Sequence, residues 1–273
     1  MLSADARSGF LEGLGGAAAM QYAVASRLLM DVPACLKEHD EVVVRRYLLL
    51  YTFPLLEMCG LFRSADYADQ LFWALLQTQV GVHLRYLDDL IDGDVSPESV
   101  ATRFQATHRL LRDVRHALNE RGLAWSARQD DIYGQLFEFE AENRAGFNHD
   151  FDSMWRRVSP LCVVADTYLL NSTDESLLLA YREYLAWSLL QADCDDGLKD
   201  FGKLVRTPVT RVIRTVTSRT HLDWNAGAGA IAEVKEFLDH RREVLLAKIL
   251  PCPLWSIIVR HLDQAFSHEE VST

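Results

Sequence analysis

The sequence predicts an all-α fold built as one domain, and three observations carry that prediction. Apolar residues recur at i, i+3 and i+4 through segment after segment, the period of a helix with one buried face. No convincing stretch alternates apolar and polar residues with the period of two that marks a half-buried strand. No linker, internal repeat or low-complexity tract divides the 273 residues, 49% of them hydrophobic, so residues 1–273 can bury a sizeable core as a single domain.

In chain order the spacing predicts helices over 11–30, 42–61, 65–91, 99–119, 132–144, 160–170, 175–195, 208–219, 230–250 and 254–266, about ten in all. The first should stop at Asp31-Val32-Pro33, because proline removes a backbone donor and disfavours helix in the residue before it. The third runs into Gly93-Asp94-Val95-Ser96-Pro97, where Ser96 is placed to cap and Pro97 to open the next helix. Asn171-Ser172-Thr173-Asp174 and Leu250-Pro251-Cys252-Pro253 carry similar turn chemistry. Asn225-Ala226-Gly227-Ala228-Gly229 reads as the most mobile loop, and Asn148-His149-Asp150 and Asp130-Asp131 as loop or cap charge.

A net charge of −11 argues against a nucleic-acid or anionic-membrane surface, since both require a Lys/Arg patch. An anionic substrate would then need metal bridges or a few local arginines. Five cysteines (Cys35, Cys59, Cys162, Cys194, Cys252) are widely spaced and odd in number, which fits neither a disulfide framework nor a zinc site and points to a reducing, cytoplasmic setting. Glu12, Gln21 and Arg27 break up the N-terminal apolar stretch, unlike a secretory leader, and the strongest apolar run, 47–56, is far too short to span a bilayer.

Two acidic clusters carry most of the functional information. Asp88 and Asp92 of Asp88-Asp89-Leu90-Ile91-Asp92 are four residues apart and share a helix face. Asp193, Asp196 and Asp200 stand at i, i+3 and i+7 and share another, whereas Asp89 and Asp195 point off those faces and read as outer or solvated groups. Like charges ending apolar helices repel one another, an arrangement that makes sense if cations bind there; hard carboxylate donors suit Mg²⁺. His83, His108, His116 and His149 have no metal-ligand spacing to either cluster and read as ordinary helix or surface residues. Phe72, Trp73 and Tyr51 read first as plain core, and Arg45 and Arg46 as surface residues.

Together the clusters and their helices resemble the isoprenoid synthase superfamily of trans-prenyl diphosphate synthases, squalene/phytoene synthases and class I terpene cyclases. Asp88-Asp89-Leu90-Ile91-Asp92 fits its DDxxD motif at the end of a long helix. Leu189-Leu190-Gln191, the second cluster, Phe201-Gly202-Lys203 and Thr207-Pro208 look like the second aspartate-rich region and its loop; Arg45-Arg46-Tyr47-Leu48-Leu49-Leu50 is similar to the basic, leucine-rich helix that opens the prenyl synthase core. The resemblance covers roughly 42–214 and implies a helical bundle around a central cavity, with homodimerisation common among relatives.

Departures from the family pattern select among its reactions. Where chain-elongating enzymes have Gly-Gly-Lys-x-Arg and a pair of arginines after DDxxD, this chain has Asp40-Glu41-Val42-Val43-Val44 and Val95-Ser96-Pro97-Glu98. Losing that many cationic contacts to a second diphosphate favours a one-substrate cyclase. Cyclases show Asn, Ser/Thr and Glu at i, i+4 and i+8, where Ala192, Asp196 and Asp200 stand, and the gap between the two motifs is shorter than in the family.

The resemblance implies about three Mg²⁺ ions held by Asp88, Asp89, Asp92, Asp193, Asp196 and Asp200, with a prenyl diphosphate of C15 or C20 bridging them. Ionisation would leave a carbocation that an apolar, aromatic wall must shield; Trp73, Gln77, Val80 and Leu84 on the first helix, and Ala186 and Leu189 on the second, lie on the rows leading to the acids. Arg156 or Arg157, with Lys203 and Arg206, stand where relatives keep diphosphate-binding cations, and Arg144, placed where cyclases keep a diphosphate-sensing arginine, competes for the same role. A prenyltransferase, a squalene/phytoene-type condensing enzyme and a catalytically inactive helical binding subunit are the alternatives.

Overall fold

The computed structural model describes residues 4–123, 125–145, 151–169, 175–199 and 228–251, with 255, 258, 260 and 262. Among these residues every regular element is helical, as predicted. The chain gathers into two compact units, Met1–Ala124 with Ile249–Thr273, and Trp125–Lys248, where the sequence reading had a single domain without a linker.

In the first unit, α1 (Ala4–Cys35) runs through the break predicted at Asp31–Pro33. Pro33 costs the helix one hydrogen bond in its last turn, but Leu28, Leu29, Val32 and Leu36 are all buried there, and burial outweighs the missing donor. The predicted helix 42–61 is divided: α2 (Glu41–Tyr47) widens into a π-helical segment, Leu48–Thr52, before α3 (Phe53–Met58). Pro54 supplies the reason. It has no N–H for the Leu50 carbonyl and its ring crowds that oxygen, so the turn opens and the Phe53 N–H reaches back to the Leu48 carbonyl instead.

Gly60, at φ 69°, turns the chain into the short α4 (Leu61–Ser64), after which α5 (Tyr67–Asp92) begins with Asp66 as its cap, the carboxylate accepting from the Asp69 N–H at 2.9 Å. A 3₁₀ turn, Pro97–Ser99, opens α6 (Val100–Glu120), which packs along α5, as α2 does on another side. Gly81 permits the α2 approach: a Cβ at that position would stand 2.2 Å from Tyr47 Cδ1. Phe53, Phe62 and Trp255 bring their rings together in the core, with centroids 4.7 to 6.0 Å apart.

His83, on α5, is buried and hydrogen-bonds through Nδ1 to the Thr107 carbonyl on α6 at 2.8 Å, so the neutral ring carries its proton on Nδ1. Burial, only partly offset by that bond, lowers its pKa to about 4. A lowered histidine pKa means that the unfolded chain takes up the proton first. This contribution to stability is therefore complete above pH 6.5 and is lost as pH falls toward 4, by up to about 2–3 kcal/mol. Urea titrations at pH 7 and pH 5 should show the loss, and His83→Gln should flatten that part of the pH dependence.

In the second unit, α7 (Ala127–Arg144) starts earlier than the predicted 132, and Ser126 with Gln129 explains the difference. The Ser126 N–H donates to Gln129 Oε1 at 3.0 Å and the Gln129 N–H to the Ser126 carbonyl at 3.0 Å, half of a capping box that the sequence displays. α8 (Phe151–Val158), which the sequence reading missed, leads through a 3₁₀ turn at Ser159–Cys162 into α9 (Val163–Leu169). Asp166, 2% exposed, is held by the two-armed guanidinium of Arg128, at 2.7 to 3.2 Å, and by Gln129 Nε2 at 3.2 Å.

α10 (Glu175–Lys199) and α11 (Ala228–Ile249) complete the described elements. Ala228 and Gly229, read from the sequence as loop, open α11 instead, and the predicted helix 208–219 lies outside the described residues. No described helix is long and apolar enough to cross a membrane.

Candidate functional site

The first acidic motif occupies the last turn of α5, which Gly93 ends in the left-handed conformation at φ 77°. The N–H groups of Gly93 and Asp94 both return to the Asp89 carbonyl, so the backbone that carries the acids is fixed. Asp88, Asp89 and Asp92 thus sit at the helix's negative pole, and no basic residue lies in its last turn. Carboxylates are unfavourable there on electrostatic grounds, whereas a bound cation would be favoured.

The side chains divide differently from the sequence reading. Asp88 is 42% exposed and Asp92 is exposed. Asp89, read from the sequence as an outer, solvated group, is the least exposed of the three at 13%. Asp89 is paired with Arg85 one turn back, and α6 packs along the same helix, with Arg103 over the Tyr86 ring, 4.0 Å from its centroid. Burial raises the Asp89 pKa, against the opposing charges of Arg85 and Arg103 and with those of Asp88 and Asp94.

Arg85 is a residue of the candidate site that the sequence analysis overlooked. Its guanidinium bridges Asp88 at 3.3 Å and Asp89 at 2.6 Å. The i, i+3 and i, i+4 spacing that signals such contacts was available in the sequence. Tyr47 joins the cluster from α2: burial, then Tyr51, then Asp88 raise its pKa, so its phenol stays protonated. The Tyr86 hydroxyl accepts from the Asp40 N–H at 3.2 Å and ties the start of α2 to the same turn of α5.

Upstream, Trp73, Gln77 and Val80 are buried in the first unit, and Leu84 is half-buried, so the row leading back from Asp88 does face inward. Phe72 stacks edge-on against Trp73, with ring centroids 5.2 Å apart. Beside Gln77, Thr78 hydrogen-bonds Thr52 of the π-helical segment at 3.1 Å, which gives this interior polar character that a purely apolar wall would lack.

In the second unit, α10 remains helical through Lys199, four residues beyond its predicted end, so Asp193 and Asp196 do lie on one helix at i, i+3. Their side chains, and Asp200, Lys203 and Arg206 altogether, fall outside the described residues, as does the side chain of Arg144. Ala186 is buried; Leu189 is half-buried. Arg156 and Arg157, one or the other of which was read as a diphosphate ligand, face acids of α7. Arg156 grips Glu142 with two bonds of 3.1 and 2.6 Å, and Arg157 lies 3.8 Å from Glu140. The basic last turn of α8 meets the acidic face of α7, an attraction that the sequence reading did not weigh.

Asp88 and Asp92 suit a hard divalent cation by donor type and by their place at the helix's negative end, but two carboxylates are part of a coordination shell. Among the described residues, no three His, Cys, Asp or Glu side chains converge on a point suited to a metal ion. No protein-family model matches the chain, and comparison with curated proteins and with solved structures returned no match.

Proposed function

We propose that the chain is a Mg²⁺-dependent class I terpene synthase, a carbon–oxygen lyase that ionises a prenyl diphosphate of C15 or C20 and releases a terpene hydrocarbon or alcohol with diphosphate. One observation carries the reading: Asp88 and Asp92 stand exposed at the negative end of α5, where a cation and not a carboxylate is electrostatically favoured. An arrangement that works against helix stability is reasonable where the ligand compensates for it. The continuation of α10 through Asp193 and Asp196 supports a second set of acids presented by a helix.

In this reading Asp88 and Asp92 of the first motif bind Mg²⁺, as do Asp193, Asp196 and Asp200 of the second, and the bound ions stabilise the leaving diphosphate. Lys203, Arg206 and Arg144 are the diphosphate-facing cations. Arg156 and Arg157 would join them only by exchanging Glu142 and Glu140 for phosphate oxygens. The reading sets the enzyme in the cytoplasm, without nucleic-acid or integral membrane partners.

Thermal melting with Mg²⁺ and inorganic diphosphate tests the binding half of the proposal. A ligand at about a hundred times its dissociation constant stabilises the fold by about 2.7 kcal/mol, so a clear rise in Tm is expected with both together. An unchanged Tm across millimolar concentrations would contradict the reading.

A further inference from the structure

We infer that Arg85 is a tethered counterion which a divalent cation must displace from Asp88, so that Arg85 sets the metal concentration at which the first acidic motif loads. The inference rests on the terpene synthase reading of that motif. The guanidinium is held unequally. Its 2.6 Å contact to Asp89 is a short, charge-assisted bond to a carboxylate 13% exposed, whereas its 3.3 Å contact to Asp88 is long and reaches a carboxylate 42% exposed to solvent. A long, solvated ion pair contributes little and yields readily to a divalent ion. The shielded Asp89 pair is the arm that stays.

The three acids therefore have different tasks. Asp88 and Asp92 meet the metal, and Asp89 is a positioning residue that keeps Arg85 from swinging fully onto Asp88 or away from the cluster. Arg103, over Tyr86 on the α6 side, adds a second positive charge near Asp89 and not in the last turn of α5. In the metal-free protein Arg85 relieves repulsion among acids crowded at the helix end.

Titration with Mn²⁺ at about 0.15 M ionic strength, with the free ion followed by electron paramagnetic resonance, tests this without any turnover assay; at that salt, charges beyond about 8 Å are largely screened. Arg85→Gln and Arg85→Ala should bind Mn²⁺ about threefold to fivefold more tightly than wild type, the worth of one exposed ion pair. Arg112→Gln, an equal loss of charge on α6 beside Asp113, should leave the affinity unchanged. Asp89→Asn should weaken binding, because Arg85 then turns wholly to Asp88, and Asp88→Asn should nearly abolish it. Saturable binding that appears only when Arg85 is removed would also support the inference. If Asp88→Asn weakens binding but neither Arg85 variant tightens it, the counterion role is overturned and the metal site stands. If Asp88→Asn binds as wild type does, or no variant binds, the metal site is overturned as well.

Discussion

Asp88→Ala is expected to lower turnover of a prenyl diphosphate by about a hundredfold or more, since a metal that stabilises a leaving group supplies several kcal/mol and each 1.36 kcal/mol is a factor of ten. The fold should survive. Asp88 is 42% exposed at the end of a helix whose cap is set by Gly93 and Asp94, so far-ultraviolet circular dichroism and Tm should stay close to wild type. Asp92→Ala should behave in the same way. Asp196→Ala and Asp200→Ala should match them in activity, and Asp195→Ala should be milder, because helical spacing in the sequence sets it off the face read for Asp193, Asp196 and Asp200. Near-full activity in both Asp88→Ala and Asp92→Ala would remove the basis of the proposed function. Equal loss at Asp195 would mean that the metal-facing register of α10 is one residue away from the one assigned.

The second large effect concerns the scaffold that holds that helix end. Gly81→Ala should destabilise the protein by about 1–3 kcal/mol in urea unfolding, the usual cost of forcing extra volume into a packed contact. The new Cβ would press on Tyr47 Cδ1, Cγ and Cβ; rotation of the side chain can carry the ring aside, but Cβ, at 3.0 Å, cannot move unless α2 does. Adding Tyr47→Ala to Gly81→Ala should recover part of the loss even though Tyr47→Ala is destabilising alone, a coupling that a double-mutant cycle reads directly. A Gly81→Ala protein as stable as wild type would show that α2 and α5 do not approach this closely.

Helix periodicity was enough to read the class of the fold, because a helix with one buried face repeats its apolar residues whatever it packs against. The π-helical segment at Leu48–Thr52 was less legible: Pro54 announces a disturbance, but whether the chain breaks or widens depends on the packing around Phe53 and Thr52. Pro33 was read as a stop and proved tolerable one turn from a helix end, where burial decides. The division at Trp125 was invisible because no change in composition marks it, although the αL glycine Gly122 and the Ser126–Gln129 cap each left a local trace.

At the candidate site, spacing alone placed Asp88 and Asp92 on one helix face, and it also contained the Arg85 contacts that went unread. The shielding of Asp89 was beyond the sequence, since it depends on what packs against that turn of α5. So were the partners of Arg156 and Arg157, which depend on α8 meeting α7. A residue's charge can be read from the chain; its counterion often cannot.

Incubating the purified protein with Mg²⁺ and C10, C15 or C20 prenyl diphosphates, each with and without isopentenyl diphosphate, tests the central claim most directly. Organic extracts analysed before and after phosphatase treatment are expected to contain a terpene hydrocarbon or alcohol before phosphatase, formed from the C15 or C20 substrate without isopentenyl diphosphate and absent when EDTA replaces Mg²⁺. Longer alcohols seen only after phosphatase, and only with isopentenyl diphosphate, would instead identify a chain-elongating prenyltransferase, and no product from any substrate would contradict both.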